Sequence, residues 1–178
     1  MKASAVILLF LTAATVSAFS ADAKKTSVLG MDDMTRYIVT HPIPGGQTTM
    51  REASGRALGT ASTAGGRTTF RDSSGRMTGS ATVEGNRTMF RDASGRATGA
   101  ATTSARQTTT YRDASGRMEG TSSESGGRTT FRDSAGRKQS TVESTGSRQT
   151  FRDASGRMFG TSSTAGGRSV TPENNRKP

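Results

Sequence analysis

Large apolar side chains between residues 48 and 168 recur once per unit of sequence, at Met50, Phe70, Phe90, Tyr111, Phe131 and Phe151, with steps of 20, 20, 21, 20 and 20. The intervening residues repeat in the same register, as in TTFRDSSGRMTGSATVEGNR over 68–87 and QTFRDASGRMFGTSSTAGGR over 149–168. Six copies of one unit in fixed register mark a repeat architecture. Within a copy, Thr68-Thr69-Phe70-Arg71 is a run of strand formers, and Asp72-Ser73-Ser74-Gly75 carries turn chemistry. The carboxylate caps the turn and the glycine takes positive φ. The same roles fall to Asp92 and Gly95, Asp113 and Gly116, Asp133 and Gly136, and Asp153 and Gly156. A second strand is predicted from Arg76 to about Thr82, and Glu84-Gly85-Asn86, or Gly-Gly in other copies, closes the unit. The odd step of 21 comes from one extra residue near Gln107-Thr108. That places it in the second turn, where it leaves every strand facing the same way.

Two further columns limit the core. The residue after Gly-Arg varies as Ala57, Met77, Ala97, Met118, Lys138 and Met158, and a lysine there means at best half burial. Two residues on stands Gly59, Gly79, Gly99, Gly120 and Gly160, with Ser140 in the fifth copy. A small-residue column permits close backbone approach and precludes a thick core. The expected fold class is all-β, a repetitive array of antiparallel β-hairpins forming a curled meander, with a β-solenoid as the alternative. A solenoid would stack identical arginines about 4.8 Å apart, and a meander about twice that. Like charges directly opposite one another are unfavourable, which favours the meander. A sheet with so thin a core must curl, pair face to face or assemble, and exposed edges would allow fibre-like self-association.

The repeats span 47–168, and three flanking segments complete the chain. Residues 1–23 read as a signal peptide: Lys2, the short apolar run Ala5–Ala14, and small residues at Ala18 and at Ala21-Asp22-Ala23, with cleavage after Ala23 preferred. Residues 24–46 read as a linker or a capping strand built on Tyr37-Ile38-Val39, with the cap preferred, and 169–178 as a disordered tail. The product is then exported, to the periplasm, the cell surface or the medium. It contains no Cys, so disulfides do not compensate for the core.

Composition alone points the other way. Leu, Ile, Val and Phe number 22 in 178 residues and the net charge is +11, a profile of disordered chains. The period reinterprets both facts: apolar content is gathered into one column and charge into others. Within 48–168 there are 18 Arg and one Lys against ten acidic residues. The planar guanidinium fork suits phosphate, sulfate and carboxylate. The candidate polyanion-binding residues are the two arginines flanking each turn: Arg51 and Arg56, Arg71 and Arg76, Arg91 and Arg96, Arg112 and Arg117, Arg132 and Arg137, and Arg152 and Arg157. Lipopolysaccharide, nucleic acid or acidic polysaccharide are the expected partners. The competing reading is that these arginines solvate an exposed sheet and blunt its edges. Thr pairs such as Thr68-Thr69 and Thr129-Thr130 also suggest an ice-binding rank, interrupted by Met89 and Gln149 and by neighbouring charge.

No catalytic residues, cofactor or metal are expected. His41, the one histidine, lies in the Pro-flanked Thr40-His41-Pro42 and reads as exposed and inert. The repeated carboxylates serve turns better than general base chemistry, and the unit lacks the clustered Asp and Gly of calcium-binding repeats.

The pattern Gly-Arg-Thr-Thr-Phe-Arg-Asp-x-x-Gly-Arg over 66–76 and 127–137 resembles the YD or RHS repeat of bacterial surface and toxin-associated proteins. That unit is also close to 20 residues long and carries a Tyr-Asp-x-x-Gly-Arg turn. The resemblance covers 48–168 and implies β-hairpin wrapping in an extracytoplasmic bacterial setting. This chain departs from it in placing the aromatic two residues before Asp, in having Arg for the second aromatic, and in carrying no toxin domain.

Overall fold

A computed structural model describes residues 33–41 and 45–165. The predicted signal peptide and the predicted tail lie outside the described residues. Each repeat supplies two strands: β1 (Gln47–Glu52) and β2 (Ala57–Ala64), β3 (Arg67–Asp72) and β4 (Met77–Glu84), β5 (Arg87–Asp92) and β6 (Ala97–Thr103), β7 (Thr108–Asp113) and β8 (Met118–Ser125), β9 (Arg128–Asp133) and β10 (Lys138–Thr145), and β11 (Arg148–Asp153) and β12 (Met158–Ala165). Every strand pairs antiparallel with its sequence neighbours, and β1 also pairs with β12 from Gln47↔Ala165 to Glu52↔Gly160. The meander therefore closes into a twelve-stranded barrel. It is not a solenoid: identical residues stand two strands apart, and no edge strand remains for fibre-like pairing, because closure uses both edges.

Local chemistry sets the two ends of the barrel. At one end a three-residue loop joins the strands of each repeat. In the second repeat Gly75 N–H donates to Asp72 C=O at 3.0 Å, Asp72 N–H donates to Arg76 C=O at 2.9 Å, and Gly75 has φ of 84°. This is a hairpin loop ending in a left-handed glycine. At the other end the repeats are joined by two-residue turns such as Gly65-Gly66, with φ of 55° and 76°. The extra residue of the odd step does fall there: β6 and β7 are linked by 104–107, and Gln107, at φ 57°, is the one non-glycine in the left-handed region among the described residues.

A β-bulge recurs in each repeat. Phe70 faces Gly79 while Arg71 faces Met77, so Thr78 is the extra residue, and the shift reappears in all six hairpins. Bulges of this kind bend and twist the sheet, the curvature that closure needs. The glycine column follows from the same geometry. A Cβ on Gly79 would lie 2.6 Å from the Arg91 carbonyl oxygen of the adjacent strand.

The apolar column faces inward. Met50, Phe70, Phe90, Tyr111, Phe131 and Phe151 are all buried, each flanked by glycine or serine on one side and by Ala61, Ala81, Ala101, Ser122, Val142 or Ser162 on the other. One Thr of each pair also points inward. Its hydroxyl is satisfied across the ladder, as in Thr63–Thr68 at 2.9 Å and Thr48–Thr164 at 2.8 Å. An eight-stranded barrel is narrow enough for wall side chains to fill, and twelve strands enclose more space.

Helix α1 (Asp33–Thr40) fills that space. The segment read as a linker or capping strand is thus a helix inside the barrel. Its sequence, DMTRYIVT, is half β-branched and too short for an independent helix. Burial overrides propensity: Asp33, Met34, Arg36, Tyr37, Ile38 and Val39 are all buried, as expected of a helix surrounded on every side. Within closed walls no sheet edge is offered to a strand, so the segment satisfies its backbone internally by becoming helical.

Candidate polyanion interface

Two features outside the packing scheme carry chemistry: the charged network around α1 and the arginine collar at the loop end. In the network, Arg36 lies 3.5 Å from Asp33 and 3.4 Å from Glu119, and its guanidinium sits 5.0 Å from the centre of the Tyr111 ring. Burial pushes the Glu119 carboxyl above its ordinary value, opposed by the Arg36 charge. Ser140 Oγ donates to Asp33 Oδ2, which explains why the glycine column is broken in the fifth copy. Other departures from the repeat also make polar contacts inside the barrel, within the wall or to the helix. Tyr111 replaces Phe and its hydroxyl meets Ser122, which replaces Ala, at 3.1 Å. Gln149 replaces Thr and accepts from Ser162 at 2.7 Å. Ser144 pairs with the Tyr37 hydroxyl.

His41 is not the exposed linker residue expected. It is half-buried at the end of α1, stacked on Tyr37 with ring centres 4.2 Å apart, and Nε2 lies 3.0 Å from Glu124. Nδ1 lies 3.0 Å from both Thr40 Oγ1 and Tyr37 C=O. These contacts lock the helix end against the wall beside a small cleft lined by Tyr37, His41, Ser144 and Gln149.

The collar is built from the six three-residue loops. The first arginine of each repeat folds over its own loop, and Nη1 donates to the loop glycine carbonyl: Arg51 to Gly55 at 2.8 Å, Arg71 to Gly75 at 3.0 Å, Arg91 to Gly95 at 2.8 Å, Arg112 to Gly116 at 2.9 Å, Arg132 to Gly136 at 3.1 Å and Arg152 to Gly156 at 3.2 Å. Each guanidinium is thereby held at the level of the rim. The second arginine, Arg56 and its equivalents Arg76, Arg96, Arg117, Arg137 and Arg157, directly follows the loop glycine and is exposed.

The carboxylates are consumed locally. Asp113 Oδ1 accepts from Ser115 N–H at 2.9 Å, Ser115 Oγ at 2.6 Å and Arg117 N–H at 2.9 Å; Asp72, Asp92 and Asp153 repeat the arrangement. In the fifth copy Ala135 offers only its N–H, and Arg137 Nε supplies a bond to Asp133 Oδ2 at 2.9 Å. The serine hydroxyls, followed by backbone N–H groups, hold these aspartates below the ordinary carboxylate range, and in Asp133 the Arg137 N–H is the largest cause. Ion pairs join Arg56 to Glu52, Arg76 to Asp72 and Arg137 to Asp133, and Arg152 reaches Glu143 of the adjacent strand at 3.8 Å. Among the described residues, Arg96, Arg117 and Arg157 have no carboxylate oxygen within 4 Å. Twelve guanidinium groups thus share one rim with six carboxylates. A sparser basic set, including Arg67, Arg87, Arg128 and Arg148, lies at the opposite end.

The outer wall between the ends is polar. Thr49, Thr69, Thr110, Thr130 and Thr150 and the Thr or Ser residues opposite them in their hairpins face outward, with Met89 and Ala100 the apolar pair in this column. This distribution, apolar inside and polar outside on strands of six to eight residues, is the reverse of an outer-membrane barrel. No helix among the described residues is long and apolar enough to cross a membrane. The Thr pairs noted in the sequence are split, one hydroxyl inward and one outward on a curved wall. The fold and rim define a closed hairpin-repeat barrel plugged by its own helix and crowned with arginine. No protein-family model matches the chain, and no curated protein shows significant similarity to it.

Proposed function

We propose that this chain is an exported bacterial interaction module, acting at the cell envelope or outside it, whose arginine collar binds polyanions. The observation that carries the reading is the imbalance at the rim: twelve arginines flank the six loops, six of them clamped to the loop glycine carbonyls, while the six loop carboxylates are engaged in their own loops. Guanidinium groups with N–H donors turned to solvent suit phosphate and sulfate oxygens. The YD or RHS likeness of the repeat supports the extracytoplasmic setting. Self-association into fibres is the weaker reading, since it drew on free strand edges that barrel closure removes.

Retention on heparin, DNA and lipopolysaccharide measured across a salt series tests the proposal. Affinity should fall linearly with the logarithm of salt concentration. Arg96→Ala, Arg117→Ala and Arg157→Ala together should reduce that slope while leaving the far-UV circular dichroism unchanged. Absent retention, or retention insensitive to salt, would overturn the reading.

A further inference from the structure

The rim carries a second chemical signal that a soluble polyanion does not require. Among the described residues, the large apolar side chains left exposed are Met118 and Met158. Both open the second strand of their repeats, directly opposite Arg112 and Arg152, on the outside of the collar. Met77 occupies the same position opposite Arg71 and is half-buried. The three methionines belong to the second, fourth and sixth repeats of a closed ring, so they recur at every other loop around it. Above the collar the outward column is Thr and Ser apart from Met89 and Ala100, which face each other on one hairpin and are half-buried.

The arrangement also has a shape. Equivalent arginines stand two strands apart, about 10 Å around the circumference. A linear chain of anions can meet only an arc of such a ring, whereas a sheet of anions can meet all of it. Arginine interleaved with flexible apolar side chains is the composition of surfaces that settle into an anionic headgroup layer. We infer that the collar docks on an anionic phospholipid surface, its guanidinium groups on headgroup phosphates and Met77, Met118 and Met158, one residue pair back from the loops, packed among the surrounding headgroups. This inference rests on the polyanion reading above and names the partner of that same rim.

Co-sedimentation of the full chain with vesicles of phosphatidylcholine alone, and of phosphatidylcholine with about 30% phosphatidylglycerol, tests it. Binding is expected only to the anionic vesicles. The triple variant Met77→Ala, Met118→Ala, Met158→Ala should bind them about tenfold more weakly and keep its heparin retention. Alanine is already present at this column in Ala57 and Ala97, so the variant is compatible with the fold; a thermal melt checks it. Heparin retention without vesicle binding would overturn the lipid inference and leave the polyanion reading standing. An unchanged vesicle affinity in a folded triple variant would overturn it as well. Binding to neither probe would overturn both.

Discussion

Replacing Arg36 with methionine tests whether α1 is held in the barrel by its buried charges. The guanidinium lies 3.4 Å from Glu119 and 3.5 Å from Asp33, with side chains only 9%, 3% and 3% exposed. At an effective dielectric of about 20, either pair carries a gross attraction of roughly 5 kcal/mol. Desolvation of the three groups offsets much of it, so the net value of the network is small. Removing the cation alone is different, because two carboxylates stay buried without it. The expected loss is about 3–5 kcal/mol at neutral pH, or on the order of 10 °C in melting temperature. Adding Glu119→Gln to Arg36→Met should recover most of it, with a coupling of about 1–3 kcal/mol in the cycle. Burial already raises the Glu119 carboxyl, and losing the arginine raises it further. Since the folded state then holds a proton that the unfolded state releases, the deficit of Arg36→Met should shrink as pH falls through that raised value. Urea unfolding followed by tyrosine fluorescence is a suitable assay. The two tyrosines, Tyr37 and Tyr111, both sit at the contact between helix and wall. A loss below about 1 kcal/mol, or no recovery in the double variant, would refute the assignment of this network as the helix anchor.

Two other outcomes follow from the wall itself. Gly79→Ala should destabilise by about 1–3 kcal/mol in thermal melts, because its Cβ would press on the Arg91 carbonyl and only backbone movement can relieve it; a neutral substitution would contradict the close approach. The loop carboxylates Glu52, Asp72, Asp92, Asp113, Asp133 and Asp153 are all held below their ordinary values, so the stability they contribute is present above about pH 4 and is lost as pH falls through the folded values. A melting temperature that stays level between pH 5 and about pH 2 would contradict the loop hydrogen bonds that cause these shifts.

Much of the wall was legible in the sequence, because its determinants are local. The Asp-x-x-Gly-Arg segment builds its own loop from an aspartate that reaches two and four residues ahead and a glycine with positive φ, as in Asp113, Ser115, Gly116 and Arg117. The spacing of 20 between Met50 and Phe70 states the hairpin length, and the extra residue before Thr108 had to fall in a turn. The candidate arginines were identifiable as columns, but not as turn clamps. The bond from Arg71 to the Gly75 carbonyl depends on the loop curling back beneath the side chain.

The departures from the repeat were visible and could not be interpreted. Ser140 in a glycine column, Tyr111 in a phenylalanine column and Glu119 in a column otherwise held by Leu58, Thr78, Thr98, Gln139 and Phe159 look like drift along the chain. Each meets α1 or a polar group beside it, and that partner is defined only in three dimensions. The helix itself illustrates the difference most sharply. Tyr37-Ile38-Val39 favours a strand locally, and it is helical because a closed twelve-stranded wall leaves an interior to be filled and no edge to join. The sequence by itself determined the repeating hairpin and the arginine columns, since both arise from the pattern within one unit. Closure of the ring, the burial of α1 and the gathering of twelve arginines at one end are properties of all six units together, set by the registry of β1 on β12 and decided only by the tertiary structure.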